Sequence, residues 1–286
     1  MSEGGLLCVH AHPDDETIGT GGVLARAIAE GLPAAVVTCT DGALGEVVGA
    51  GMDPDEVRPR LAEVRDAELT AALTALGLAD GPRFLGYRDS GMMGTAGNTD
   101  PRAFWQADLH DAVGRLVAHI RALRPQVLVT YDPFGGYGHP DHIQTHRVGL
   151  LAAEAAGIPT LYPDAGTAWR PHKVYYSAFP TSMVAELNRR LLEAALPSPF
   201  GDEVDPALVP VGTPDELVTT RVDVRAWLPR KQAAMRAHAS QIAEDSFFLN
   251  FPEDITELAF GYESYVRVRS DVAAAASEDD LFAGLR

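Results

Sequence analysis

Four short apolar runs separated by helical patterns constrain this chain's fold more than any other feature. Leu6–His12, Ala34–Thr40, Arg83–Tyr87 and Gln126–Tyr131 read as strands. Their apolar residues run on rather than alternate, as in strands covered on both faces. Between them, Thr17–Glu30, Val57–Leu76 and Trp105–Leu123 read as helices, and Pro125 stops the last. Strand–helix–strand alternation predicts a parallel sheet with right-handed crossovers. The expected class is α/β: a Rossmann-like, mostly parallel sheet flanked by helices, with a less regular C-terminal lobe. The chain reads as one domain over 1–286, with a core over 1–160 and a part over 161–286 that shapes the substrate pocket.

The second half is looser. Lys173–Phe179 and Val218–Val224 read as strands, and Ser182–Ala195 and Ala226–Gln241 as helices. Leu196–Pro214, rich in Pro, Asp and Gly, reads as a loop or lid. Phe247–Phe251 reads as exposed-loop or pocket aromatics. Tyr262–Val268 alternates like an edge strand, and the acidic tail Ser277–Arg286 is expected at the surface.

Composition narrows the function. The 286 residues are 46% hydrophobic, enough for a sizeable core. A formal net charge of −17 repels nucleic acid and anionic membranes, so neither is expected as a partner. No apolar run approaches the roughly 20 residues that cross a bilayer. Met1-Ser2-Glu3-Gly4-Gly5 lacks the basic region and long apolar core of a signal peptide. Cys8 and Cys39 sit in apolar runs and read as buried free thiols. A cytoplasmic enzyme is expected.

Two clusters carry the chemistry. His10-Ala11-His12-Pro13-Asp14-Asp15-Glu16 follows the first strand, and His139-Pro140-Asp141-His142 follows the fourth, after a glycine-rich loop. In a parallel sheet both loops emerge at the same edge, where such folds hold ligands. Grouped imidazoles and carboxylates suit a catalytic zinc, which takes about three protein ligands and keeps an open position. His10, His12, Asp14, Asp15, Glu16, His139, Asp141 and His142 are all available, and spacing does not choose among them. Strand parity makes His10 a candidate core histidine, and Glu16 a helix cap or a prop for a ligand. Asp141 could orient an imidazole. No Gly-x-Gly-x-x-Gly or P-loop follows the first strand, which argues against a dinucleotide or NTP enzyme.

At Ala11-His12-Pro13-Asp14-Asp15-Glu16 and His139-Pro140-Asp141-His142 the chain resembles the LmbE-like, or PIG-L, superfamily of zinc-dependent N-acetylglucosaminyl deacetylases. Within it the resemblance is to the mycothiol branch, the GlcNAc-inositol deacetylase and the mycothiol S-conjugate amidase. It is strong over roughly the first 155 residues. The resemblance implies zinc, or another divalent metal such as Fe2+ in the cell, on His12, Asp15 and His142. It implies Asp14 as general base, His139 as an imidazolium facing the oxyanion or the leaving amine, and Asp141 as the carboxylate polarising His139. Tyr137 matches a mobile residue near the intermediate, and Arg65 and Asp89 match substrate contacts. The implied reaction is hydrolysis of the amide on a glucosamine nitrogen in an N-acyl-glucosaminyl-inositol. The implied partner is that small amino sugar, and a homo-oligomer is left open.

Substrate signals conflict. Gly86–Met92 looks like the deacetylase, whereas Tyr162–Gly166, Arg236–Ile242 and Glu278–Gly284 look more like the amidase. His238 reads either as a pocket-mouth residue or as a satisfied helix histidine. Two alternatives stand beside the main reading: a deacetylase of another N-acetyl amino sugar in specialised metabolism, and a noncatalytic sugar-binding module.

Overall fold

A computed structural model describes residues 4–198 and 201–286. Met1–Glu3, part of the leader reading, and residues 199–200, within the expected lid, lie outside the described residues.

The first half alternates as expected: β1 (Leu6–His10), α1 (Asp15–Ala29), β2 (Ala34–Thr40), a short α2 (Pro54–Val57), α3 (Leu61–Leu76), β3 (Arg83–Tyr87), α4 (Leu109–Leu123), β4 (Val127–Thr130) and α5 (Pro140–Ala155). There follow β5 (Lys173–Ala178), α6 (Thr181–Glu193), β6 (Thr220–Asp223), α7 (Leu228–Ala237), short α8 (Phe247–Asn250), α9 (Glu253–Phe260) and β7 (Tyr262–Ser270). The strands form one seven-stranded sheet in the order β3-β2-β1-β4-β5-β7-β6. β1, β2, β3, β4 and β5 pair in parallel, and β7 runs antiparallel to both β5 and β6.

Two cores follow from strand alternation. Leu6, Cys8, Val36, Val127 and Val129 face α1 and α3, packing with Leu24, Leu69 and Leu73. Leu7, Val9, Val37 and Leu128 face α4 and α5, packing with Leu116, Val117 and Val148. β1, β2 and β4 bury both faces, which explains their continuous apolar runs.

Sheet order places the chemistry. β1 and β4 are neighbours, yet β1 leads to β2 on one side and β4 to β5 on the other. This reversal is the topological switch point, where the loops after adjacent strands diverge and leave a crevice. The loop after β1 and the loop after β4 are the two that carry the histidine–aspartate clusters.

Several expectations need correction. Tyr262–Val268 is not at the edge: β6 pairs with β7 on its outer side, through Thr220–Tyr265 to Asp223–Tyr262. Alternation reports two unlike faces, and it does not report a missing neighbour. The tail is not simply surface. Leu281 and Phe282 join the core, and Glu278 is buried against Lys173 Nζ at 2.8 Å. Lys173 is itself fully buried, and a buried ammonium needs a paired carboxylate. α4 begins at Leu109, where Asp108 accepts from the Asp111 N–H, and residues 104–106 form a separate 3-10 turn. α7 ends at Ala237, so His238–Gln241 leaves the helix.

Candidate metal centre

Asp14 opens α1 in an unusual conformation, with φ 119° and ψ −34°. Positive φ costs a side-chain-bearing residue about 1–3 kcal/mol, and such strain gathers at functional sites. The Asp14 N–H donates to Glu16 Oε2 at 3.0 Å, and the Asp14 carbonyl accepts from Thr17 N at 3.1 Å and Thr17 Oγ1 at 2.8 Å. Its carboxylate meets Arg65 Nη2 at 3.2 Å. Burial raises the Asp14 carboxyl to about 6, with Arg65 pulling the other way.

At α5, His139 is the N-cap: its Nδ1 accepts from the Asp141 N–H at 3.1 Å. Pro140 fills the first helical position, where no N–H is needed. His142, three residues on, returns to the same face. Its ring stacks on Tyr131 at 4.3 Å between centroids. Burial lowers its pKa to about 3, so it is a neutral imidazole with a free lone pair.

Three donor atoms from the two loops form a near-equilateral triangle. His12 Nδ1 and Asp15 Oδ2 are 3.5 Å apart, Asp15 Oδ2 and His142 Nε2 are 3.5 Å, and His142 Nε2 and His12 Nδ1 are 3.3 Å. Ligands at roughly 2.0–2.2 Å from a tetrahedral zinc lie about 3.3–3.6 Å from one another, so the spacing fits such an ion with one position left open. Ligating atoms of His12, His139 and His142 also fall within 4.8 Å of one another, as do those of His12, Asp89, His139 and Asp141. The cluster can therefore hold a metal.

The surroundings of His12 call for positive charge. Its Nε2 donates to Asp141 Oδ2 at 3.1 Å and lies 3.6 Å from Asp89 Oδ1. Burial opposes protonation of His12, but Asp141, Asp15 and Asp89 outweigh it and draw its pKa well above the usual range. Metal-bound histidines commonly carry such a carboxylate on the second ring nitrogen. Asp141 is fixed in turn by the Ser90 N–H at 2.9 Å and by the Ser90 hydroxyl. Its carboxylate thus engages His12, while its backbone N–H engages His139.

The other expected residues gather at the same place. Arg65 is buried and donates to Gly42 O at 2.7 Å and to Pro13 O, and its Nε has no partner among the described residues. Asp89 accepts from Leu44 N at 3.1 Å and Gly91 N at 2.8 Å. Tyr137, half exposed, stands over His142 at 4.9 Å between centroids. His10 is a satisfied core histidine, its ring nitrogens 2.8 Å from Thr20 Oγ1 and 3.2 Å from Tyr131 OH.

The cluster forms the floor of a cavity of about 710 Å³. Asp14, Asp15, Arg65, Asp89, His139 and Tyr137 line its polar end. Met183 and Leu187 of α6, with Phe247, Phe248, Phe251 and Phe260, line an apolar wall. The Phe247–Phe251 segment is therefore pocket rather than loop surface.

Two supporting residues, Ser90 and Tyr131, carry no site role in the sequence alone, and His238, expected at the pocket mouth or as a satisfied helix histidine, lies off the cavity lining just past the end of α7. Ser90 braces Asp141, Tyr131 stacks on His142, and its hydroxyl accepts from the Ala11 N–H at 3.1 Å. His238 is fully buried, with Nε2 2.7 Å from Glu16 Oε1. Ser90 falls within Gly86–Met92 and Tyr131 ends the fourth apolar run just before the second cluster, a signal that could have found them. His238 is 222 residues from its partner, and nothing local marks the pair.

The chain is similar to known proteins in sequence and in fold. Residues 7–153 match the PIG-L family, described as GlcNAc-PI de-N-acetylase. A Geodermatophilus obscurus protein named 1D-myo-inositol 2-acetamido-2-deoxy-alpha-D-glucopyranoside deacetylase is 49% identical over 98% of this chain and 97% of its own length. A Streptomyces avermitilis protein of the same name is 45% identical, also over 98% and 97%. Among solved structures, the N,N'-diacetylchitobiose deacetylase of Pyrococcus horikoshii superposes with a TM-score of 0.59 at 18% identity, covering 92% of this chain and 83% of that one. GalB, a 4-carboxy-2-hydroxymuconate hydratase from Pseudomonas putida, superposes with a TM-score of 0.60 at 18% identity, covering 96% and 99%. A deacetylase and a hydratase thus share this fold, so the fold alone does not name the reaction.

Proposed function

Because the chain belongs to the PIG-L family, described as GlcNAc-PI de-N-acetylase, we propose that it removes the acetyl group from 1D-myo-inositol 2-acetamido-2-deoxy-α-D-glucopyranoside. The observation that carries this is the triangle of His12, Asp15 and His142 donor atoms beside Asp14, in a chain that matches relatives of that name over nearly its whole length. In this reading His12, Asp15 and His142 hold zinc, and Asp141 and Asp89 orient His12.

A zinc ion held there supplies Lewis acidity that acidifies water and polarises an amide carbonyl. Asp14 takes the proton from the attacking water, a role suited to a carboxyl whose pKa stands at about 6. The Asp141 N–H occupies His139 Nδ1, which leaves the His139 proton on Nε2 and makes the ring a neutral hydrogen-bond donor. That proton meets the oxyanion of the tetrahedral intermediate, with the Tyr137 hydroxyl as a second donor. A neutral imidazole is a poor acid, so Asp14 carries its proton on to the leaving nitrogen. Arg65 and Asp89 face the sugar, an assignment supported by their place in the cavity lining. A cytoplasmic setting belongs to the same proposal, supported by Cys8 and Cys39 as buried free thiols; among the described residues no helix is long and apolar enough to cross a membrane.

Acetate release from the GlcNAc-inositol by the zinc-loaded protein tests the reading. Asp14→Ala is expected to lower kcat by about 100- to 10,000-fold. A zinc-loaded wild type that releases no acetate overturns it.

The apolar wall favours a second reading, in which a larger acyl group lies along the phenylalanines, as in a mycothiol S-conjugate amidase. An S-alkylated cysteinyl amide cleaved with a higher kcat/KM than the acetamide would select that reading.

A further inference from the structure

Glu16 and His238 are a titratable pair, both fully buried, for which the chemistry above has no use. Neither is among the residues lining the cavity. Glu16 Oε1 lies 2.7 Å from His238 Nε2, and Glu16 Oε2 accepts from the Asp14 N–H at 3.0 Å. His238 Nδ1 has no partner among the described residues, so the ring's hydrogen bonding is committed to Glu16. The imidazole is anchored from its own backbone: its N–H reaches Met235 O, and its carbonyl accepts from Gln241 at 3.0 Å and Ile242 at 2.8 Å. A line of contacts therefore runs from the end of α7 to the one backbone N–H of the strained residue, Asp14.

We propose that the Glu16–His238 pair is the positioning element for Asp14, holding it at positive φ with its carboxylate beside Arg65 and the cation cluster. The inference rests on Asp14 being the base of the proposed reaction. Without the imidazole, Glu16 is a buried carboxylate that has lost its one side-chain partner, and it turns toward whatever can solvate it. The Asp14 N–H then loses its acceptor, and the backbone relaxes to negative φ, which carries the carboxylate away. No hydrogen bond, ion pair or ring contact joins His238 to His12, Asp15 or His142 among the described residues, so metal binding persists. Asp14 works in the transition state rather than in substrate binding, so the loss falls on kcat and spares KM.

The test compares His238→Phe, which fills the space, with His238→Gln, whose amide N–H can still donate to Glu16. Both are made in the full-length, zinc-loaded protein. His238→Phe is expected to bind zinc with wild-type stoichiometry, to lose about 100-fold in kcat with KM within about threefold, and to show Asp14 at negative φ in its crystal structure. His238→Gln is expected to recover to within about tenfold of wild type. Equal losses in both variants, a His238→Phe kcat within about threefold of wild type, or a retained positive φ at Asp14 overturns the proposal. Should His238→Phe not fold, Glu16→Gln, which keeps an acceptor for Asp14, is compared with Glu16→Leu, which does not, and equal losses overturn it. A wild type that releases no acetate sinks the functional reading alone, because the Asp14 conformation in the variants still decides this one.

Discussion

The loops after β1 and β4 and the residues beyond 160 build the same cavity in different ways. Each loop brings its reactive groups as a contiguous motif, seven residues from His10 to Glu16 and four from His139 to His142. The C-terminal part contributes scattered single residues: Phe247 and Phe251 line the wall, while His238 and Glu278 stand outside the lining, against Glu16 and Lys173. Motif residues must act on one substrate atom together, so they come from short segments on rigid strand ends. Supporting residues need only reach a partner, and any segment that folds back can supply them.

This contrast can be broken or sharpened by experiment. The largest effect is expected in the loops: His12→Ala removes one corner of the donor triangle, and metal analysis should show lost zinc together with abolished turnover. A metal-replete His12→Ala would break the assignment.

The next effect belongs to the tail. Lys173→Met removes the buried ammonium from Glu278, which keeps Arg267 Nη1 at 2.7 Å and the Tyr175 hydroxyl at 2.8 Å, and should lower unfolding free energy by about 1.5–3 kcal/mol, with KM unchanged. Denaturant titration checks it. A Lys173→Met protein of wild-type stability would show that the Lys173–Glu278 pair adds nothing to stability beyond what Arg267 and Tyr175 supply.

Smaller still is the wall. Phe251→Ala should lower kcat/KM for an apolar N-acyl substrate by about tenfold while leaving the acetamide nearly unchanged, as competition kinetics would show. Equal losses on both would make Phe251 a packing residue.

The smallest effect isolates strain. Asp14→Gly and Asp14→Ala should be comparably inactive, yet the glycine variant should be more stable by about 1 kcal/mol, because glycine adopts positive φ without a Cβ clash. Thermal melts of the two variants compare them directly, and equal melts would deny that residue 14 stays strained.

Much of this was legible in order along the chain. β1, β2 and β4 announce themselves because strands covered on both faces must be apolar throughout. The position of His142 three residues after His139 announces a shared helical face. Tyr262–Val268 misled because alternation describes the faces of a strand and is silent about its edges. The tail misled because its acidic composition hides one carboxylate, Glu278, whose buried partner Lys173 lies 105 residues earlier.

By itself the sequence determined the α/β class, the two clusters and the residues able to bind a cation, since each depends on local period and residue chemistry. Tertiary structure alone decided that β1 and β4 stand side by side at the switch point, and that Asp141 braces His12. It also decided that Glu16 finds His238. Those outcomes depend on contacts between segments more than a hundred residues apart, and hydrogen bonds and buried charges are satisfied by proximity in space, which no local pattern encodes.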